Sequence, residues 1–161
     1  MTMYNCTSHK DCIADALHQA EEICAARHLR FTEIRRKVLE LVWQNHGPVK
    51  AYDILDRLDG LDHRIAAIKP PTVYRALDFL TENGLVHKIN SLNAFVGCSH
   101  PLRHKECYFL ICSDCGEAKE CCNPDIIEAI SKTSQRNEFQ AEHVTLEITG
   151  ECSDCRGSAA S

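Results

Sequence analysis

Between residues 13 and 28 the apolar groups Ile13, Leu17, Ala20 and Cys24 recur at steps of three and four, which predicts a helix with one buried stripe. Thr32 reads as an N-cap, with Glu33 in the first turn, for a second helix buried through Ile34, Val38, Leu41 and Val42. Gly47-Pro48 stops it. A third helix is predicted from about Ala51, carrying Ile54, Leu55 and Leu58. Pro70-Pro71-Thr72 opens a fourth, with Val73, Leu77 and Leu80 inward and Asn83-Gly84 at its end. After Gly84 the period shortens to two. Residues 85–90 and 94–97 predict strands joined by a short turn, with Leu85, His87 and Ile89 on one face and Val86 and Lys88 on the other. Helices closed by such a hairpin outline a winged helix-turn-helix over residues 13–90.

The fourth helix then shows which face meets a partner. Its inward stripe leaves Thr72, Tyr74, Arg75 and Asp78 outward. Short hydrogen-bonding groups beside an arginine, with free amides at the helix start, suit DNA in the major groove. Charge fits a local contact of this kind. The first 90 residues balance, and residues 91–161 carry the whole net charge of −5. Within the balanced part, Arg27, Arg30, Arg35, Arg36 and Lys37 cluster around Glu33. The candidate DNA contacts are Tyr52, Thr72, Tyr74, Arg75, Arg35 and Arg36; a solvated face with one arginine is the bland alternative.

Cysteine changes the picture further. Two Cys-x-x-Cys pairs, Cys112/Cys115 and Cys152/Cys155, predict four thiolates around one tetrahedral zinc, since two matched pairs need a common partner. Gly116 and Gly157 follow the second cysteines, where the chain must turn while its amides face sulfur. A redox dithiol or disulfides are the competing readings. A second set of metal-competent residues comprises His87, Cys98, His100, His104, Glu106, Cys107 and Glu120. Histidine, thiolate and carboxylate together suit zinc, whereas iron or manganese sites favour nitrogen and oxygen. Cys6, His9 and Cys12 also have metal-like spacing, but the expectation for residues 1–12 is a flexible extension.

Residues 70–80 (Pro-Pro-Thr-Val-Tyr-Arg-Ala-Leu-Asp-Phe-Leu), then Gly84-Leu85-Val86-His87-Lys88, then the two cysteine pairs, resemble the ferric uptake regulator family and its zinc-sensing branch. The resemblance runs from about Ala20 to Cys155. It implies an α+β chain: a winged helix, a hinge at 91–98, and a small α/β dimerisation domain at 99–157 with the four-cysteine zinc, leaving 158–161 as a tail. It also implies two zinc ions per subunit, one structural and one regulatory. By that resemblance the regulatory ligands are His87, Cys98, Glu120 and His104, with His100 as competitor for the last place. The run before Cys112 departs from the histidine-rich pattern of relatives, and His143 lacks the partners of a further site.

The function so implied is a zinc-loaded homodimeric repressor of zinc-acquisition genes on operator DNA, in the cytoplasm. Its recognition helices would lie one DNA turn apart, ~34–36 Å. Alternatives are an iron, manganese or peroxide sensor of the same fold, or a zinc-stabilised protein-interaction module. No activated nucleophile or acid–base pair stands out, so no enzyme, small organic substrate or membrane role is expected. The amino terminus has no apolar core and no stretch reaches membrane-spanning length.

Overall fold

The structure is a computed structural model and describes residues 9–45, 47–61 and 68–158. Cys6 and the side chain of His9 lie outside them, and with them the Cys6/His9/Cys12 set as a whole. The chain divides into two units, Met1–Ser99 and His100–Ser161. Residues 91–98, expected as a hinge, hold the turn and second strand of a hairpin within the first unit. Among the described residues no helix is long and apolar enough to cross a membrane.

The first unit begins with four helices: α1 (His9–Ala26), α2 (Glu33–Gln44), α3 (Ala51–Leu61) and α4 (Pro70–Glu82). Their stripes meet in one core. Ala20 and Cys24 of α1, Val38, Leu39, Leu41 and Val42 of α2, Ile54 and Leu58 of α3, and Val73, Leu77 and Leu80 of α4 are all buried. Burial of this kind, worth roughly 1.5–3 kcal/mol per large apolar side chain, overrides weak local signals. Thr32 stands at the N-cap of α2 with extended backbone, yet its hydroxyl makes no capping bond and is buried without a hydrogen-bond partner. Position, not the expected hydrogen bond, makes it the cap.

Two antiparallel strands complete this unit, β1 (Val86–Ile89) and β2 (Ala94–Gly97), with His87 opposite Val96 and Val86 opposite Gly97. The expected alternation is only half present: Lys88 is exposed, but Val86 is buried along with His87 and Ile89. Val86 packs into the helical core, so both faces of the strand are covered. The hairpin is tied to the helices twice. Phe95 and Val49 exchange backbone hydrogen bonds of 2.8 Å in both directions. Gly97 lies against the indole of Trp43 on α2, and a Cβ there would come within 2.4–2.9 Å of three indole atoms. Gly97→Ala should therefore lower stability by about 1–3 kcal/mol, visible as a lower denaturant midpoint with an unchanged slope. A midpoint equal to the parent's would show that Trp43 yields freely.

The second unit opens with a 3₁₀ segment, Pro101–Glu106, and holds a three-stranded sheet in the order β4-β3-β5. β3 (Cys107–Cys112) pairs antiparallel with β4 (Ala118–Cys122) and parallel with β5 (Glu147–Gly150). The parallel pairing requires a crossover, supplied by α5 (Pro124–Arg136), whose cap Asn123 accepts from the Asp125 amide at 2.9 Å. A short helix, α6 (Ser153–Ser158), follows β5. The apolar core here is thin: Phe109, Ile111 and Cys112 are its buried members. Leu110 and Ile148, paired in register on β3 and β5, are instead 39% and 45% exposed.

Candidate functional site

β3 ends in Cys112, and the chain turns through Cys115 to Gly116, whose φ of 72° favours glycine. The Gly116 amide donates to the Cys112 carbonyl at 3.0 Å, and the Cys112 amide donates to Glu117 at 2.9 Å. Ser113 donates to the Gly150 carbonyl at 2.8 Å, which brings the end of β5 alongside this turn. Cys152 follows it there, and its amide points at the Cys112 sulfur at 3.4 Å. The second pair departs from expectation in one respect. Gly157 makes no positive-φ turn; Cys155 is presented by α6, whose Arg156 amide returns to the Cys152 carbonyl at 3.1 Å.

The outcome is four sulfurs, of Cys112, Cys115, Cys152 and Cys155, all within 4.8 Å of one another. Cys115 and Cys152 are 3.9 Å apart, close to the ~3.8 Å edge of a tetrahedron with Zn–S bonds of ~2.3 Å. The electrostatics suit a thiolate cage. Backbone amides of Cys115, Cys152 and Asp114 aimed at the Cys112 sulfur hold its thiol down at about 6. Hydrogen bonding to the Cys152, Cys112 and Cys115 sulfurs pushes the Cys155 thiol up, because four uncompensated thiolates cannot coexist there. The donor set fits a divalent soft cation, and zinc in this geometry is structural, with no open position.

The other expected metal ligands divide between the units. In the first, the Cys98 amide donates to the Leu85 carbonyl at 3.0 Å, carrying the hairpin one pair beyond β2. Cys98 is thereby the diagonal neighbour of His87 on the same face, and a ring nitrogen and the sulfur lie within 4.8 Å. Both residues are buried. In the second unit, His104 is half-buried on the 3₁₀ segment. Glu120 groups with His100, Cys107 and Cys122, all donor atoms within 4.8 Å. Cys122 was missed from sequence. Writing the turn after Cys112 as a hairpin would have found it, because that register sets Cys107 opposite Cys122. His143 is exposed and bonded to Thr145 at 3.0 Å.

On the winged helix, Thr72, Tyr74, Arg75 and Asp78 all face outward from α4, and Tyr52 projects from α3; Tyr52 and Tyr74 are 69% and 51% exposed. Arg35 and Arg36 are only half exposed and have internal duties. Arg35 stacks 3.5 Å from the Phe79 centroid and bonds the Arg30 carbonyl, while Arg36 pairs with Glu21. The expected free amides at the start of α4 are also absent over its first three residues. Pro70 and Pro71 have none, and Thr72 donates to Lys69 at 2.9 Å.

Comparison with known proteins places this architecture. The ferric uptake regulator family profile matches residues 26–149. The zinc uptake regulation protein of Escherichia coli (strain K12) is 40% identical over 144 residues, spanning 88% of this chain and 81% of that one. A solved zinc uptake regulator complexed with zinc and DNA superposes with a TM-score of 0.85 at 37% identity, over 92% of this chain and 98% of that one. Holo XcZur superposes with a TM-score of 0.79 at 42% identity, over 88% and 96% of the two chains. The family profile covers most of the chain and the likeness to these relatives runs along nearly its whole length, so the chain belongs to the ferric uptake regulator family.

Proposed function

We propose that the protein is a zinc-responsive, DNA-binding transcriptional repressor that acts as a homodimer in the cytoplasm on genes of zinc acquisition. One observation carries the reading: the whole-length likeness to a regulator solved with both zinc and DNA. The chemistry of this chain agrees with it. Four thiolates suit a structural zinc, and the buried His87–Cys98 pair offers nitrogen and sulfur for a regulatory one. In this reading each subunit binds two zinc ions, and His104 and Glu120 complete the regulatory set. The exposed Leu110–Ile148 pair is an apolar face suited to a second copy. No step of this function calls for catalysis.

Regulation follows as geometry. A dimer grips a two-fold operator only when its two α4 helices match the ~34–36 Å spacing of successive major-groove half-sites. Zinc taken by the wing residues together with His104 and Glu120 would select the matching arrangement, a coupling of typically ~1–3 kcal/mol. A gel shift with operator DNA across buffered free zinc tests this, with iron and manganese as controls. Tightening by zinc alone is expected; equal tightening by iron or manganese would assign the sensor to another metal.

The proposed contacts are Tyr52, Thr72, Tyr74 and Arg75; Arg35 and Arg36 leave the set because their guanidinium groups serve the fold. Arg75→Ala should weaken operator binding by about 1–3 kcal/mol if the guanidinium forks onto a base, or reduce the salt slope by about one if it clamps phosphate. Zinc content and melting should not change. Parent-like affinity in Arg75→Ala and Tyr74→Ala alike would place a different helix in the groove.

A further inference from the structure

Outside the four-sulfur cage, one more group of ligand atoms converges within the second unit. Cys107 and Cys122 open β3 and close β4, directly opposite each other in the ladder, and are joined by a disulfide. His100 Nδ1 lies 3.7 Å from the Cys122 sulfur and 3.9 Å from Glu120 Oε1. The Glu120 side chain is only 9% exposed, so its carboxylate sits with sulfur and imidazole rather than in bulk water. All four donor atoms fall within 4.8 Å of one another. The edges of a tetrahedron built on Zn–N, Zn–O and Zn–S bonds of ~2.0–2.3 Å run ~3.3–3.8 Å. The two contacts of His100 already stand near these edges, and the two sulfurs can take up theirs only once the disulfide between them is opened.

We propose that His100, Cys107, Glu120 and Cys122 form a redox-gated zinc site, open to Zn²⁺ when the two cysteines are reduced and shut when they are joined. The reduced, metal-free cluster would gather two thiols and a nearly buried carboxylate at one imidazole, and ionising them brings like charges together. Two events relieve this. A divalent cation neutralises two of the three negative charges, or the thiols leave the charge balance by forming a disulfide. The two are mutually exclusive because a disulfide sulfur carries no charge to donate.

The oxidant is a low-molecular-weight disulfide. The thiolate of Cys107 attacks one of its sulfurs and releases one small thiolate. The Cys122 thiolate then displaces the second, forming the Cys107–Cys122 bond. Two electrons pass to the oxidant, which departs as two thiolates, and Zn²⁺ is released with them. A small dithiol reverses the exchange. Glu120 is the one residue this site shares with the proposed regulatory set, and a carboxylate has two oxygens to offer. The inference otherwise stands apart from the repressor reading.

The test titrates the full chain with Zn²⁺ against a chromophoric chelator, first after reduction and again after treatment with oxidised glutathione. The reduced parent should hold one more zinc per chain than the oxidised parent, and one more than reduced Cys122→Ala or His100→Ala. Cys121→Ser, altered on the opposite face of β4, should match the parent. Equal zinc in the reduced parent and in both variants overturns the proposal, as does equal zinc before and after the disulfide forms. His100→Ala leaves both strand cysteines in place, so it answers the question even where Cys122→Ala misfolds. Cys98→Ser separates the two sites: it should lose the zinc response on DNA but keep this zinc, and losing both would overturn the independence of the site.

Discussion

Cys152→Ser is expected to strip the four-sulfur zinc, unfold the second unit and dissociate the dimer. That unit buries few large apolar side chains, namely Phe109 and Ile111 beside Cys112. Its sheet joins strands from distant parts of the sequence, which costs chain entropy before it returns any contact. Structural zinc contributes apparent binding energies of roughly 10–16 kcal/mol in small zinc domains. A contribution of that order outweighs anything a core of this size supplies. Metal analysis and sedimentation of the variant decide the matter: a stable dimer with full zinc content would remove the structural assignment. The same cage predicts a pH trend. Cys112 is a thiolate at neutral pH, whereas the Cys155 thiol is pushed up and must release its proton when metal enters. Zinc affinity should therefore rise with pH across the neutral range, and fall as acid protonates Cys112 below about 6.

Cys98→Ser is expected to leave a folded dimer that retains the structural zinc but no longer tightens on DNA as zinc rises. Cys98 is 3% exposed and its amide is bonded to Leu85, so a hydroxyl of similar size can occupy the site without disturbing the ladder. A serine hydroxyl is not ionised near neutral pH and is a poor zinc ligand. The loss should appear as the disappearance of a roughly 5–150-fold zinc effect on operator affinity. His87→Ala should reproduce it, and the double variant should add little if the two share one metal. Should Cys98 be only a small buried apolar group, the variant will respond to zinc like the parent, and the regulatory ligands would have to come from elsewhere.

What could be read from sequence follows how local the physics is. The stripe Val73, Leu77, Leu80 was legible because helical periodicity is written in neighbouring residues, and the same holds for both cysteine pairs. The burial of Val86 was not, because the second cover over β1 comes from helices distant in sequence. Arg35 and Arg36 were read as DNA contacts without their internal partners because Phe79 and Glu21 are remote or lie on another helix. Gly157 looked like a second knuckle turn, but α6 presents Cys155 instead. Cys122 escaped because its meaning depends on strand register, which the turn at Gly116 sets.

The order in which the four sulfurs are made has its own consequence. The helical unit is complete in sequence by Ser99, so it can fold on the ribosome while the rest is still being translated. Cys112 and Cys115 emerge next, but about 40 residues separate Cys115 from Cys155, roughly 2–8 s at ~5–20 residues per second. During that interval the first pair is a lone dithiol, able to trap a metal ion only loosely or to be oxidised. β3 waits equally long for β5, which cannot dock until Glu147–Gly150 has been made. Each new chain therefore carries a finished DNA-reading module before it owns the means to dimerise. The four-sulfur cage can close on a metal only after Cys155, its last member in sequence, has been made.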